Sequence, residues 1–162
     1  MRLRYLLPLS LIAIAACQTE LYPEAPTVPA RTTTSSPAPD QGPVAPKPGY
    51  PDGQVVTSGQ GWLEFAPLES QNNGGRLFFA FFPYDSQVKM PSGTAQVTGS
   101  AVITDSTGVK ETKALLVYAP DPAGDPLIYC WPTIVSQRSY TLHVSLKVDG
   151  TAYTGDFTYR AK

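Results

Sequence analysis

The sequence predicts an all-β domain of antiparallel strands, and the clearest signal lies near the end of the chain. Residues 140–148 alternate strictly between apolar and polar side chains, a period of two that predicts a strand with one buried face. Asp149-Gly150 follows, and residues 152–159 alternate again. Because a type I′ turn needs positive φ at both central residues, Asp-Gly between two such runs predicts a β-hairpin.

Turn residues divide the earlier part of the domain into further strands. Gly99 interrupts the alternation of one of them, which predicts a β-bulge at that position. No window beyond residue 16 has a helical period. A total of about seven or eight short strands predicts an immunoglobulin-like antiparallel β-sandwich, with a small β-barrel as the alternative. The further strands are predicted at 54–57, 61–69, 75–83, 94–104, 109–119 and 127–131.

One predicted strand is apolar on both faces. In the run Leu77-Phe78-Phe79-Ala80-Phe81-Phe82, residues 77, 79 and 81 share one face, which we expect to be core. Phe78 and Phe82 share the other face. This pattern fits a central strand whose outer face is covered by a loop or by the preceding segment. If that face were uncovered, the two rings would form an exposed binding patch.

The first residues have the pattern expected of an export signal. Arg2 and Arg4 flank the start of an apolar run, Tyr5 to Ala16, of 12 residues, which is shorter than the roughly 20 residues that a transmembrane helix needs. The run leads into Ile14-Ala15-Ala16-Cys17, which resembles the lipobox of bacterial lipoproteins. The resemblance implies a signal peptide at residues 1–16 and a mature chain that begins with a lipidated Cys17. The alternative is an ordinary secretory signal followed by an incidental cysteine.

The lipobox resemblance also implies a location in the bacterial cell envelope. In enterobacterial lipoproteins an Asp after the lipidated cysteine favours the inner membrane. Gln18 occupies that position here, which points to the outer membrane, with the chain facing the periplasm. A lipidated Cys17 would also leave Cys130 without a disulfide partner within the chain.

A Pro-rich segment separates Cys17 from the predicted domain. Residues 18–48 contain eight prolines and few large apolar side chains, which is too little apolar surface to offset the entropy of ordering. We therefore expect residues 17–49 to be a disordered tether and residues 50–162 to be the β-sandwich domain. In the polyproline II conformation the tether would reach on the order of 90 Å.

The charge balance argues against one class of partner. Without its leader the chain has 10 Lys and Arg against 13 Asp and Glu, a net charge of −3, and the basic residues are scattered. Nucleic acids and anionic membrane surfaces are bound by clustered basic residues. We therefore expect no nucleic-acid partner, and membrane attachment through the lipid alone.

Few residues are suited to catalysis or metal binding. His143 is the single histidine, and its place on the polar parity of its strand predicts a side chain that faces solvent. Cys130 lies in an apolar run, where we expect it to pack in the core. Copper binding would need soft ligands such as Met90, Cys130 and His143, but these are isolated in sequence.

The carboxylates also lack a recognisable motif. Glu64 and Glu69 flank an apolar stretch, and Asp121 and Asp125 share a loop. Neither pair has the spacing of a known calcium loop, and sequence alone cannot set the separation that glycosidases need. We therefore expect no catalytic residue, no metal and no cofactor, and a chain that is not an enzyme. A hydrolase or a copper-handling protein is the least favoured function.

Aromatic residues give a better hypothesis for binding. The chain has nine tyrosines and two tryptophans, and such rings are enriched at binding surfaces. Core packing is the plainer role for each ring taken singly, and Tyr118 is a further ring near a strand end. The candidate binding surface consists of Trp62, Phe78, Phe82, Tyr84 and Trp131.

Leader, tether and domain together predict a membrane-anchored envelope lipoprotein. Its β-sandwich is expected to serve as a non-enzymatic adaptor or assembly factor for a protein partner. The alternative is a carbohydrate or peptidoglycan binding module that stacks Trp62, Tyr84 or Trp131 on sugar rings. Both functions require a presented surface rather than a reaction centre.

Overall fold

The computed structural model describes residues 44–162 and contains nine strands in that range. They are β1 (Gln54–Ser58), β2 (Gly61–Ser70), β3 (Arg76–Tyr84), β4 (Val97–Asp105), β5 (Lys110–Ala114), β6 (Leu116–Tyr118), β7 (Leu127–Cys130), β8 (Ser139–Val148) and β9 (Thr151–Arg160). Sheet A has the order β1-β2-β3-β7-β6, sheet B has the order β5-β4-β8-β9, and all pairs are antiparallel. The predicted β-sandwich is confirmed.

The chain enters the sandwich through residues 44–49. The predicted signal peptide, Cys17 and the Pro-rich segment up to residue 43 lie outside the described residues. Val44 is exposed, whereas Gly49 donates its N–H to the Glu64 Oε1 atom at 2.6 Å and Tyr50 is buried. Within the described range, no helix has the length and apolar character needed to cross a bilayer.

The main core lies between the two sheets and is built from alternate residues of each strand. Phe79 and Phe81 of β3 are buried there, together with Leu142 and Val144 of β8, and Leu77 packs against the same cluster. This confirms the predicted core face of β3. Each fully buried side chain of this size contributes about 1.5–3 kcal/mol, so the alternation specifies which face of each strand turns inward.

The hairpin of β8 and β9 has the predicted two-residue turn. Val148 pairs with Thr151, and Asp149 and Gly150 have φ values of 47° and 85°. Asp149 also accepts a hydrogen bond from the Gln96 N–H at its Oδ1 atom, at 2.8 Å. The turn is therefore fixed both by its own backbone and by the segment that leads into β4.

The strand predicted at 109–119 is divided between the two sheets. β5 pairs with β4 in sheet B, whereas β6 pairs with β7 in sheet A. Leu115 packs against the core between the sheets and donates its N–H to the Gly99 carbonyl at 3.0 Å, whereas Leu116 packs on the outer side of sheet A. Two consecutive apolar residues thus pack on opposite faces of sheet A. Because the predicted strand is divided into β5 and β6, the structure has nine strands where seven or eight were predicted.

The β-bulge predicted at Gly99 is wrong. The register of β4 against β8 runs without a break from Val97, opposite Val148, to Asp105, opposite Tyr140. Instead, the lack of a side chain at Gly99 allows the backbone of β4 to lie close to that of β8. A Cβ atom there would lie 2.4 Å from the Ser145 carbonyl oxygen and 2.7 Å from the Leu146 Cα atom.

Side chains of β1 cover the free edge of β9. The Gln54 amide donates to the Thr158 carbonyl at 2.5 Å and accepts from the Thr158 N–H at 3.2 Å. The Ser58 hydroxyl oxygen accepts from the Thr154 N–H at 2.6 Å. These bonds satisfy main-chain groups that an edge strand otherwise presents to other chains. The sandwich is therefore closed along its β1–β9 side.

Replacement of Gly99 by alanine tests the close approach of β4 and β8. Because the added methyl group would meet backbone atoms rather than a flexible side chain, we expect Gly99→Ala to lower the free energy of unfolding by about 1–3 kcal/mol. Ser100→Ala, at the next position of the same strand, should change it by no more than about 0.5 kcal/mol. Urea unfolding measures both values, and equal stability of the two variants would contradict the proposed close contact.

Candidate functional site

The five predicted surface residues lie together on the outer side of sheet A, but they are buried. Their exposed fractions are 5% for Trp62, 0% for Phe78, 4% for Phe82, 1% for Tyr84 and 9% for Trp131. They belong to a second apolar cluster, which we name the outer cluster. Its buried members are Tyr50, Trp62, Ala66, Leu68, Phe78, Ala80, Phe82, Tyr84, Met90, Leu127, Tyr129 and Trp131.

Ring contacts hold the outer cluster together. Tyr50 stacks on Phe82 with ring centroids 5.1 Å apart, and Trp131 lies 5.7 Å from Phe78 and 6.0 Å from Tyr129. The Arg76 guanidinium carbon lies 4.6 Å from the Trp131 ring centroid, within cation–π range. Sheet A is therefore packed on both faces, and little ring surface is left for a sugar or another ligand.

The outer cluster also contains a carboxylate that was predicted only to flank an apolar strand. Glu64 is fully buried, and its Oε2 atom accepts a hydrogen bond from the Tyr84 hydroxyl at 2.6 Å. Glu69 of the same strand has the opposite parity and is exposed. A signal for the burial of Glu64 was present in the sequence, because Glu64 shares its parity with Trp62 on one side and Ala66 on the other.

The three soft ligands considered for copper lie in three different layers. Met90 is in the outer cluster, Cys130 is in the core between the sheets, and His143 is on the outer face of sheet B. The His143 Nδ1 atom lies 2.7 Å from the Asp156 Oδ1 atom, with side chains 58% and 84% exposed. Among residues 44–162 no three His, Cys, Asp or Glu side chains are grouped to hold a metal.

The Cys130 thiol is enclosed by the main core. Burial raises the pKa of Cys130 to about 12, well above its usual value of 9.0. Since the thiolate is the reactive form of cysteine, this side chain packs as a small apolar group. Its position agrees with the expectation that Cys130 belongs to the core.

The loop that carries Asp121 and Asp125 is an exposed turn. The Asp121 Oδ1 atom accepts from the Ala123 N–H at 2.9 Å, and the Asp121 carbonyl accepts from the Gly124 N–H at 3.0 Å. The first carboxylate thus stabilises its own turn, as Asp commonly does in this position.

Three exposed apolar side chains lie in or beside the strands that pass from sheet B to sheet A. We name residues 109–118, which contain β5 and β6, the crossing edge. Val109 is 64% exposed, Val117 41% and Tyr118 43%. Val135, which is 46% exposed, lines the same surface depression as Val109. Apolar side chains are therefore accessible at both ends of this edge.

The main chain of β5 is directed outward at alternate residues. Val109 and Leu115 are bonded to β4 through the Val109 carbonyl and the Leu115 N–H. Because hydrogen-bonded and non-bonded pairs alternate in an antiparallel ladder, the peptide groups of Lys110, Thr112 and Ala114 point away from β4. Within the described residues, β5 is an edge strand of sheet B. These groups therefore face the outside of the sheet.

Asp105 fixes the beginning of the crossing edge. Its Oδ1 atom accepts from the Thr107 N–H and hydroxyl at 2.9 and 2.7 Å and from the Val109 N–H at 3.0 Å. Its Oδ2 atom binds the Arg138 guanidinium at 2.5 Å. Hydrogen bonding, above all by the Thr107 hydroxyl, lowers the pKa of Asp105 from 3.8 to about 2.

The described chain is thus a β-sandwich with one filled outer face and one open edge. Comparison of the chain with protein-family models, with curated proteins and with solved structures gave no match. The surfaces of the sandwich itself are what bear on its function.

Because of the turn at Asp105, the stability of the folded chain should depend on pH in the acid range. Because the pKa of Asp105 is lower in the folded chain than its usual 3.8, its contribution is complete above about pH 4 and is lost as the pH falls toward about 2. Urea unfolding should show wild type more stable than Asp105→Asn at pH 7, with the difference shrinking between about pH 4 and 2. Thr107→Val should shift this loss to higher pH. A difference between wild type and Asp105→Asn that is constant with pH would contradict the assignment.

Proposed function

We propose that this chain is a lipid-anchored protein of the bacterial cell envelope whose β-sandwich is a non-enzymatic adaptor for a protein partner. The lipid on Cys17 attaches it to the outer membrane on the periplasmic side, and the Pro-rich segment is the spacer. The crossing edge is the binding surface, and its ligand is an extended segment of the partner that adds a strand beside β5.

The open main chain of β5 is the observation that carries this proposal. Strand addition at a sheet edge draws its affinity from main-chain hydrogen bonds and its specificity from pockets for alternate side chains. The outward peptide groups at Lys110, Thr112 and Ala114 supply the first requirement. Val109 and Val135 at one end, and Val117 and Tyr118 at the other, supply exposed apolar contacts for the second.

The opposite side of the sandwich supports the choice of this edge. There the main chain of β9 is bonded by Gln54 and Ser58 of the chain itself. Edges that are not used are commonly covered in this way. Within residues 44–162 no side chain bonds the outward main chain of Lys110, Thr112 or Ala114 in this way; the Glu111 side chain of β5 instead accepts hydrogen bonds from the N–H and hydroxyl of Thr133 in the loop after β7.

Sugar binding has less support as a function. Stacking on a pyranose needs an exposed aromatic face, whereas Trp62 and Trp131 are only 5% and 9% exposed. A glycan would have to displace the residues that cover them. A strand from a protein partner requires no such rearrangement.

Crosslinking in intact cells tests the proposal with the full-length chain. The wild type should give a specific adduct with a protein partner, and Val117→Asp should reduce it about tenfold, since placing a charge at the contact costs about 1.4 kcal/mol or more. Val88→Asp is the matched control, because Val88 is also 41% exposed but lies in the loop after β3. Thr112→Pro should block strand addition by removing an outward N–H.

Two results would contradict the proposed function. One is an equal loss of the adduct in Val117→Asp and Val88→Asp, which would mean that the crossing edge is not the contact. The other is a Cys17→Ser chain that stays in the membrane fraction, which would mean that the lipid does not hold it there. Wild-type chain should fractionate with membranes, and Cys17→Ser should be recovered in the soluble periplasmic fraction.

A further inference from the structure

The sequence of β5 is complementary to itself when two copies lie antiparallel. Its five residues are Lys110-Glu111-Thr112-Lys113-Ala114. If a two-fold axis passes through Thr112, this residue lies opposite its own copy. Glu111 then lies opposite Lys113 of the second copy. Lys110 lies opposite Ala114 in the same way. Opposite charges directly across from each other stabilise a pair of strands, and so do two threonines.

The main chain of β5 favours the same alignment. The peptide groups of Lys110, Thr112 and Ala114 point away from β4, because the residues between and beside them are bonded to it. In an antiparallel pair, two such residues that lie opposite each other exchange two hydrogen bonds. With the axis at Thr112, all three outward residues lie opposite outward residues of the second copy. The alignment that pairs the charges therefore also pairs the main chain.

Charge disfavours the neighbouring alignments. An axis through Glu111 would set this carboxylate against its own copy, and an axis through Lys113 would do the same with two ammonium groups. Like charges directly opposite each other destabilise a pair of strands. An axis through Lys110 or Ala114 would pair only one end of each strand. The central alignment thus combines the longest pairing with opposite charges.

The two charged side chains are accessible to a second copy. Lys113 and Glu111 are 33% and 28% exposed, and the Lys113 Nζ atom lies 2.5 Å from the Glu111 Oε1 atom. Glu111 also accepts hydrogen bonds from the N–H and hydroxyl of Thr133, at 3.0 and 2.8 Å. A carboxylate has about four acceptor sites, so it can bind a second ammonium group. Each charge would then have an opposite charge both along its own strand and across from it.

Exposed apolar side chains at the two ends of the crossing edge complement each other in this arrangement. Val109 and Val135 lie at its start, whereas Val117 and Tyr118 lie at its end. Because the two copies run antiparallel, the start of one edge lies beside the end of the other. The two-fold axis forms this contact twice, and burial of apolar surface adds to the affinity.

We propose that, in the free protein, β5 pairs with β5 of a second copy in this two-fold alignment. The two four-stranded B sheets then join into one sheet of eight strands. Interfaces that use the same surface of both copies are the commonest in oligomers. The proposal rests on the proposed function and adds a regulation, because one edge cannot bind a second copy and a partner strand together. Only three residues of each copy exchange main-chain bonds, so the dimer should dissociate on dilution and be displaced by a longer strand.

Disulfide trapping of the full-length chain tests the alignment. Thr112→Cys places two thiols across the axis, where the Cα atoms of a bonded pair lie about 5.5 Å apart, within reach of a disulfide. Lys110→Cys is the matched control, because its two copies would lie about 13 Å apart. Under mild oxidation we expect at least about tenfold more linked dimer from Thr112→Cys. Equal yields from the two variants would overturn the proposal.

A charge exchange tests the pairing of Glu111 with Lys113. Glu111→Lys and Lys113→Glu each oppose like charges in their own dimers, so each should weaken self-association at least about tenfold. A mixture of the two variants opposes only unlike charges and should associate about as well as wild type. Sedimentation velocity at rising protein concentration measures all three. Wild-type self-association without association in the mixture would overturn the assigned alignment. If either variant does not fold, disulfide trapping still decides the matter.

The dimer and the partner are tested separately. A wild-type chain that stays monomeric up to about 1 mM would overturn the dimer, and the crossing edge would still be free to bind a protein partner. In the crosslinking of intact cells, an adduct of twice the chain's mass reports the dimer, and an adduct of another mass reports a different protein. Recovery of the dimer adduct alone would support the β5 pairing and contradict the adaptor function.

Discussion

Burial of sheet A on both faces is the constraint on which the rest of the structure depends. Phe79 and Phe81 turn toward sheet B, while Phe78 and Phe82 turn into the outer cluster. A strand of this composition would expose large apolar area if either face were open. The segment around Tyr50 and the loop that carries Met90 are therefore parts of the domain's packing, and sheet A is unavailable as a flat binding surface.

The fold could be predicted because its signals are local. The alternation of apolar and polar residues in β8 and β9 and the Asp149-Gly150 turn predict the hairpin directly, since side-chain parity and positive φ are properties of neighbouring residues. The division of β5 from β6 could not be predicted in this way. Leu115 and Leu116 are both apolar. They pack against different clusters because the chain passes from one sheet to the other between them, and the sequence does not show this.

The candidate sites were less predictable, for a related reason. Trp62, Phe78 and Trp131 were proposed as part of an exposed binding surface, but their exposure depends on segments that have no periodicity and that cover them from elsewhere in the chain. The burial of Glu64 likewise depends on residues from elsewhere in the chain that cover it. The open side of β5 also depends on sheet order, which is a long-range property. Periodicity thus specifies faces, whereas tertiary packing specifies which face or edge remains accessible.

Amide hydrogen exchange of the full-length chain, measured residue by residue, tests most directly the claim that sheet A is interior and the crossing edge is accessible. The amides of Phe79 and Phe81 should exchange only through global unfolding, since β3 is central and buried on both faces. The amide of Thr112, which points outward from β5, should exchange orders of magnitude faster. Fast exchange in β3, or protection of Thr112 equal to that of β3, would contradict this account.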